Sequence, residues 1–136
     1  MSKALEKFGY MTRHVSLHDS SKYGYFAYFM PNVASHATTE VLTNRGWMGV
    51  DSNEPFILLT KSMQPVNFSN YNKFRSQLTL QPVPEEFFKL PLLVTYGLYS
   101  RHGRFHGVRL PAPEINYHDF LKYNLFVNSK NQGLVN

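Results

Sequence analysis

One stretch near the start of the chain sets its architecture: Tyr10-Met11-Thr12-Arg13-His14-Val15-Ser16-Leu17-His18. Side chains along a β-strand point to opposite faces in turn, so a property that alternates from residue to residue indicates a strand. This stretch alternates in that way, and we predict a strand from Tyr10 to His18. One face collects Met11, Arg13, Val15 and Leu17, and the other collects Thr12, His14, Ser16 and His18.

The residues that follow indicate a partner strand. Residues 19–24 have the composition of a turn, and residues 25–30 are rich in the aromatic residues that strands favour, until Pro31 stops the run. We predict a hairpin. Its rings fall on both faces, which favours a strand between two layers and leaves open an exposed patch that a partner covers. The rings are Tyr23, Tyr25, Phe26, Tyr28 and Phe29.

Two further hairpins are predicted. Residues 38–43 and 47–50 flank Asn44-Arg45-Gly46, in which glycine supplies the left-handed turn position, although a helix over 35–44 is a rival interpretation. Residues 92–100 and 105–110 flank Arg101-His102-Gly103-Arg104, with Gly97 and Gly107 as candidate bulges. The tip of this last hairpin is strongly basic.

The remaining segments complete a mainly β chain, with α+β as an alternative class. We expect one domain over residues 1–136, an antiparallel sandwich or barrel of about six to eight short strands, and a closing helix at 114–127. Tyr117, Leu121 and Leu125 are spaced as the apolar face of that helix. The other predicted elements are a helix at 2–8, strands at 56–61 and 77–83, and helical turns at 68–74.

Composition excludes several classes of protein. No apolar run reaches the roughly 20 residues that span a bilayer, and no secretory signal is present, so we expect a cytoplasmic or virion protein without a membrane partner. The chain has no cysteine, which excludes disulfides, thiolate nucleophiles and Cys-ligated zinc. Charged residues are only 17% and aromatic residues 15%, a composition typical of interface-forming subunits.

The basic charge has a location. The net charge is +5, and the segment 55–113 alone carries seven bases against two acids, whereas the rest of the chain is balanced. The third hairpin concentrates guanidinium groups and rings, which suit phosphate pairing and base stacking, or contact with an acidic protein neighbour. The candidate anion-binding or partner-binding residues are Arg101, His102, Arg104, His106, Arg109, Tyr96, Tyr99 and Phe105.

The six histidines raise two chemical alternatives. His14 and His18 lie about 13 Å apart on an extended strand, and arginines beside His102 and His106 oppose a cation, so we predict no metal site and no cofactor. Ser35-His36-Ala37-Thr38 contains one copy of the His-x-Thr element that two-histidine phosphoesterases use twice. The sequence has no second copy.

The sequence therefore favours a protein that works by contact. We expect a non-enzymatic structural or accessory subunit of a larger assembly of virus or phage type, a homo-oligomer or a partner of other protein subunits. The alternatives are a free nucleic-acid-binding module that uses the hairpin at 101–109, and a phosphoesterase or nuclease that uses His36, His102 or His106. We predict no catalytic residue.

Overall fold

The computed structural model describes residues 1–30, 32–51, 56–79, 86–99 and 114–126. An antiparallel sheet of five strands runs in the order β4-β3-β2-β1-β5, and a second sheet pairs β6 with β7. This mostly β architecture confirms the predicted class. The larger sheet is open, so the predicted sandwich or barrel is not confirmed. The strands are β1 (Thr12–Asp19), β2 (Ser35–Thr43), β3 (Gly46–Asp51), β4 (Phe56–Ile57), β5 (Leu92–Tyr96), β6 (Leu98–Tyr99) and β7 (Glu114–Ile115).

The helical elements are short. In the described part of the chain, no helix combines the length and apolar character needed to cross a membrane. The α-helices are α1 (Ser2–Lys7), α2 (Tyr71–Phe74) and α3 (Tyr117–Leu121), the last continued by a π-helical turn at Lys122–Phe126. Turns of 3-10 helix lie at Gly24–Phe29, Phe68–Asn70, Arg75–Gln77 and Glu86–Lys89.

Strand β1 is the predicted strand, and it lies inside the sheet. It pairs with β2 on one side, where Arg13 is opposite Glu40, and with β5 on the other, where Val15 is opposite Tyr96. Its alternating faces are both largely covered. We call the side that carries Arg13, Val15 and Leu17 the inner face, and the side that carries His14, Ser16 and His18 the outer face.

The inner face holds the core. Val15 and Leu17 are fully buried there, and the layer over them comes from the helical turns between β4 and β5. These turns confirm the prediction of helical structure at 68–74. The rings that pack over the inner face are Phe68, Tyr71 and Phe88 from the turns and Tyr123 from the C-terminal helix.

The hairpin of β2 and β3 confirms the second predicted hairpin and excludes a helix over 35–44. Thr43 pairs with Gly46, so the loop is Asn44-Arg45, one residue shorter than the predicted three-residue turn. Gly46 has a φ of +122°, a conformation that residues with a Cβ rarely adopt, which is the reason the sequence predicted a glycine-dependent turn here.

The first predicted hairpin is wrong. Residues 24–29 form a turn of 3-10 helix that packs on the outer face, not a strand beside β1. Both edges of β1 are occupied, by β2 and by β5, so no position remains for a third neighbour. Long-range pairing thus prevails over the strand preference of the aromatic residues.

Two predicted strands are shorter than expected. Only Phe56 and Ile57 pair with β3 as a strand, and farther along Thr60 and Leu78 form an isolated bridge. Residues 80–83 of the strand predicted at 77–83 lie outside the described residues.

The third predicted hairpin is not observed as predicted: its first strand is divided into β5, which pairs with β1, and β6, which pairs with β7. Strand β5 ends at Tyr96, and the φ of +77° at the following Gly97 redirects the chain. A Cβ at this position would lie 2.5 Å from the backbone nitrogen of Phe120, so the glycine also allows α3 to approach. Strand β6 then pairs with β7. The predicted return strand at 105–110, its tip and Gly107 lie outside the described residues.

The closing helix begins later than predicted and buries a different face. Glu114 and Ile115 belong to β7, so α3 starts at Tyr117. The predicted apolar face of Tyr117, Leu121 and Leu125 is exposed, and Tyr123 is buried instead. Tyr117 and Leu121 are exposed although they precede the π-helical turn, so the helix packs through another side, on which Tyr123 meets Trp47 and Tyr96.

Candidate functional site

A buried ion pair occupies the inner face beside the hydrophobic core. Arg13 and Glu40 face each other across β1 and β2, and their side chains are 4% and 0% exposed. The Arg13 Nη2 lies 2.5 Å from Oε2 of Glu40, and its Nε donates to the same oxygen at 2.7 Å. Two charges so far from water are tolerated only when their remaining polar atoms are also bonded.

The second oxygen of Glu40 has its own partners. Oε1 accepts hydrogen bonds from the Phe68 backbone N–H at 2.7 Å and from the Tyr96 hydroxyl at 3.1 Å. Burial raises the pKa of Glu40, while the guanidinium of Arg13 opposes that rise. Burial raises the pKa of the Tyr96 phenol far above its usual range, and the negative charge of Glu40 is the next largest cause of the rise.

Aromatic rings surround the guanidinium. Its Cζ lies 4.1 Å from the ring centroid of Trp47, 4.1 Å from that of Tyr96 and 5.0 Å from that of Tyr123. Rings on several sides and a carboxylate in the plane satisfy the cation without a ligand. We call Arg13, Glu40, Trp47, Tyr96 and Tyr123 the inner cluster, and we assign it to the stability of the fold.

His36 forms a second polar pair on the inner face. Its Nε2 is hydrogen-bonded to Oδ2 of Asp51, and the two side chains are 17% and 2% exposed. The Phe88 ring lies 5.7 Å away, centroid to centroid, and meets the imidazole edge-on. The threonine of the His-x-Thr element, Thr38, donates its hydroxyl to the Val50 carbonyl at 2.9 Å, so this hydroxyl is engaged within the sheet.

The other described histidines do not converge with His36. His14 and His18 lie on the outer face, and His118 is exposed on α3. Burial lowers the pKa of His14. In the part of the chain that the structure describes, no three side chains of His, Asp or Glu come together as metal ligands. His102 and His106 lie outside the described residues.

Among the described residues, a depression on the outer face is the candidate cavity. It encloses about 180 Å³ between the start of α1 and the sheet, and its lining includes Ser2, His14 and Thr39. The hydroxyls of Ser2 and Thr39 are 2.9 Å apart and hydrogen-bonded to each other, so they join α1 to β2. These groups serve to hold the helix.

Two of the predicted contact residues, Tyr96 and Tyr99, are described by the structure, and they lie in different places. Tyr96 is buried in the inner cluster and not on the surface. Tyr99 belongs to β6, opposite Glu114 in β7, so the chain leaves the small sheet at one residue and re-enters it at the other. The remaining predicted contact residues lie outside the described residues: Arg101, His102, Arg104, Phe105, His106 and Arg109.

Three exposed rings lie on the 3-10 turn at Gly24–Phe29, which we call the aromatic turn. Tyr25, Phe26 and Phe29 are 81%, 73% and 60% exposed. Tyr28 points inward, where its hydroxyl is hydrogen-bonded to that of Thr95 in β5 and its ring packs edge-on against His18. The interpretation that the sequence favoured, a strand buried between two layers, is wrong here, because these rings are exposed on a helical turn, as the alternative of an exposed patch had it.

Comparisons with known proteins give no match, so the functional argument rests on the surface of the protein. No model of a known protein family matches the chain, and neither a curated protein nor a solved structure matches it.

Proposed function

We propose that the protein is a self-assembling structural or accessory subunit, which acts by contact with other protein subunits and not by catalysis. The observation that supports this proposal most is the aromatic turn, one short segment in which Tyr25, Phe26 and Phe29 each expose most of their surface. Contiguous exposed rings are typical of protein interfaces, because their contact with water is unfavourable and partners cover them.

The size of the patch supports a specific contact. An aromatic side chain buries 150–250 Å² when covered, so the three rings of the aromatic turn offer roughly 400 Å² at their observed exposure. A stable interface buries about 800 Å² on each partner. The aromatic turn thus supplies about half of one side of such an interface, and the side chains around it supply the rest.

The sparse charge of the chain supports the same proposal. Charged residues are 17% of the sequence, against about 25% in an average soluble domain. Surfaces that must stay separate in solution carry dense charge of both signs. A surface with few charges and many rings is instead suited to burial in an assembly.

Light scattering coupled to size-exclusion chromatography tests this proposal. The full chain is expected to form dimers or larger species as its concentration rises. The triple variant Tyr25→Ser, Phe26→Ser, Phe29→Ser removes the exposed rings and is expected to shift the chain to monomer. The matched control replaces three other exposed apolar residues at the opposite end of β1. It is the variant Phe8→Ser, Tyr10→Ser, Met11→Ser.

Two outcomes overturn the proposal. The first is a wild-type chain that is monomeric up to about 100 μM, a concentration at which even transient interfaces are occupied. The second is assembly that the control variant abolishes as completely as the triple variant does, because the contact would then not depend on the aromatic turn.

Nucleic-acid binding is a second candidate function, and one observation favours it. Residues 100–113 begin and end at the paired β6 and β7, and they include three arginines and two histidines but no acidic residue. A basic segment anchored at a strand pair suits contact with a phosphate backbone.

Fluorescence anisotropy with a labelled oligonucleotide tests the second candidate. Binding is expected to weaken steeply with salt, and Arg101→Ala with Arg104→Ala is expected to weaken it at least about tenfold. The control, Arg45→Ala with Lys61→Ala, removes two exposed cations elsewhere and is expected to have a smaller effect. If both pairs of substitutions weaken binding equally, the binding depends on net charge, and the hairpin is rejected as the binding site.

A further inference from the structure

Strand β5 is an edge of the larger sheet. Among the described residues, β1 is its strand partner and no strand lies on its other side. Unpaired edges attract a further strand, and proteins usually protect them with charges, proline, bulges or a covering loop. How β5 is protected therefore bears on the partner of this protein.

The side chain of Asn124 protects one end of β5. Its Oδ1 accepts from the Tyr96 N–H at 3.1 Å, and its Nδ2 donates to the Tyr96 carbonyl at 2.9 Å, as a residue of a neighbouring strand would. These two bonds show that the N–H and C=O groups of Tyr96 point away from β1. Because the backbone alternates, Leu92 and Val94 also direct their N–H and C=O groups away from β1.

The rest of the edge carries no protecting charge. The strand reads Leu92-Leu93-Val94-Thr95-Tyr96, with Pro91 just before it. The opposite edge of the sheet differs, because the chain that continues from β4 is itself paired: Thr60 bridges Leu78, and the Thr79 N–H donates to the Leu59 carbonyl at 2.8 Å. Within the described residues, one edge is thus paired by the chain itself, and the other is an uncharged strand with no further strand beside it.

The aromatic turn lies beside the unprotected part of β5. Tyr28 joins it to Thr95 and to His18, and His18 is the β1 residue directly opposite Leu93. Leu93 therefore shares the outer face with the turn. A partner strand that pairs with β5 would bring the rest of its own chain close to the exposed rings. One partner can therefore cover both the edge of β5 and the rings.

We propose that the partner at this edge is a second copy of the chain, with its β5 added antiparallel to this β5. The proposal rests on the proposed function and names its contact. A two-fold axis at Leu93 sets Leu92 of each copy opposite Val94 of the other, and these pairs form about four backbone hydrogen bonds. Both patches of rings then flank the axis, and together with the edge they approach the area that a stable dimer needs.

Disulfide trapping tests the axis, and the chain is suited to it because it has no cysteine. In this register, Leu93 faces its own copy as a non-hydrogen-bonded pair, whose Cα atoms are about 4.5 Å apart and within disulfide range. Leu93→Cys is therefore expected to form a covalent dimer on mild oxidation. Ile57→Cys, an exposed position on the other edge strand, is the matched control and is expected to stay monomeric.

The outcomes separate this inference from the proposed function. Light scattering that shows a dimer while Leu93→Cys gives no more disulfide than Ile57→Cys overturns the edge pairing and leaves self-assembly intact. A monomer by light scattering overturns both. Should Leu93→Cys fold poorly, amide exchange of the wild-type chain decides, because the N–H groups of Leu92 and Val94 must exchange more slowly at high concentration than at low concentration.

Discussion

The inner cluster and the aromatic turn are built from the same kinds of residue and have opposite surroundings. In the inner cluster, Trp47, Tyr96 and Tyr123 enclose a guanidinium, and their contacts are complete within the chain. In the aromatic turn, Tyr28 is hydrogen-bonded to Thr95 within the chain, whereas the rings of Tyr25, Phe26 and Phe29 are exposed. The difference teaches that ring content alone does not indicate core or interface. What distinguishes the two regions is whether another layer of the same chain covers the rings.

The largest effect is expected from breaking the charge pair of the inner cluster. Glu40→Ala leaves the guanidinium of Arg13 buried without its carboxylate, which costs about 3–5 kcal/mol of unfolding free energy. Urea unfolding followed by circular dichroism measures the loss. A loss below about 1 kcal/mol would show that the pair is not as enclosed as its burial indicates.

A double replacement sharpens the same prediction. Arg13→Met with Glu40→Leu removes both charges and keeps apolar volume, so it is expected to be more stable than Glu40→Ala. A double variant as unstable as the single one would assign the loss to cavity formation instead of to the orphaned charge.

The next effect concerns the close approach of α3, the helix that precedes Tyr123. Gly97→Ala is expected to cost about 2 kcal/mol or more, because the new Cβ meets the backbone of Phe120 and φ is +77°. Gly9→Ala is the matched control, with a φ of +84° and no atom within 4 Å of the new Cβ. Equal losses in thermal unfolding would show that backbone conformation alone, and not the helix contact, requires the glycine.

A smaller effect is expected from a single hydroxyl. Tyr96→Phe removes the group that donates to Glu40 and lies 2.8 Å from Oγ of Ser69, for a loss of about 1–2 kcal/mol in urea unfolding. Tyr25→Phe deletes the hydroxyl of an exposed ring and is expected to change stability by less than about 0.5 kcal/mol. Losses of similar size in the two variants would contradict the distinction between the regions.

The smallest effect on stability is expected at the aromatic turn itself. Phe26→Ser should leave the unfolding free energy of the monomer within about 0.5 kcal/mol of wild type, because the ring makes few contacts that folding creates. Dilute protein measured by urea unfolding checks this. A loss of several kcal/mol would mean that the ring is covered by its own chain.

Strand alternation and turn chemistry account for what the sequence could predict. Alternation located β1, and Asn44-Arg45-Gly46 located the hairpin of β2 and β3. The same alternation placed Arg13 on the face of Val15 and Leu17, which in retrospect is the sign of a buried charge. Its partner, Glu40, could not be found, because the register between two strands depends on contacts distant in sequence.

The other misses also have physical causes. Local preference favours a strand at Tyr25 and Phe26, but β2 and β5 occupy both sides of β1, so the predicted pairing with β1 is not available. The side of the closing helix that packs is set by contacts distant in sequence, here those of Tyr123 with Trp47 and Tyr96. Of the predicted surface residues, Tyr96 shows the general limit: a tyrosine near a basic tip has the same sequence signature whether its hydroxyl meets solvent or a buried carboxylate.

Fluorine NMR on the chain labelled with fluorophenylalanine tests most directly whether the outward rings are the contact surface. Resonances are assigned by single substitution at Phe26, Phe29 and Phe88. We predict that the signals of Phe26 and Phe29 shift or broaden as the protein concentration rises from about 1 μM to about 100 μM, while that of the fully buried Phe88 stays constant. Signals of Phe26 and Phe29 that do not change over this range would contradict a contact through the aromatic turn.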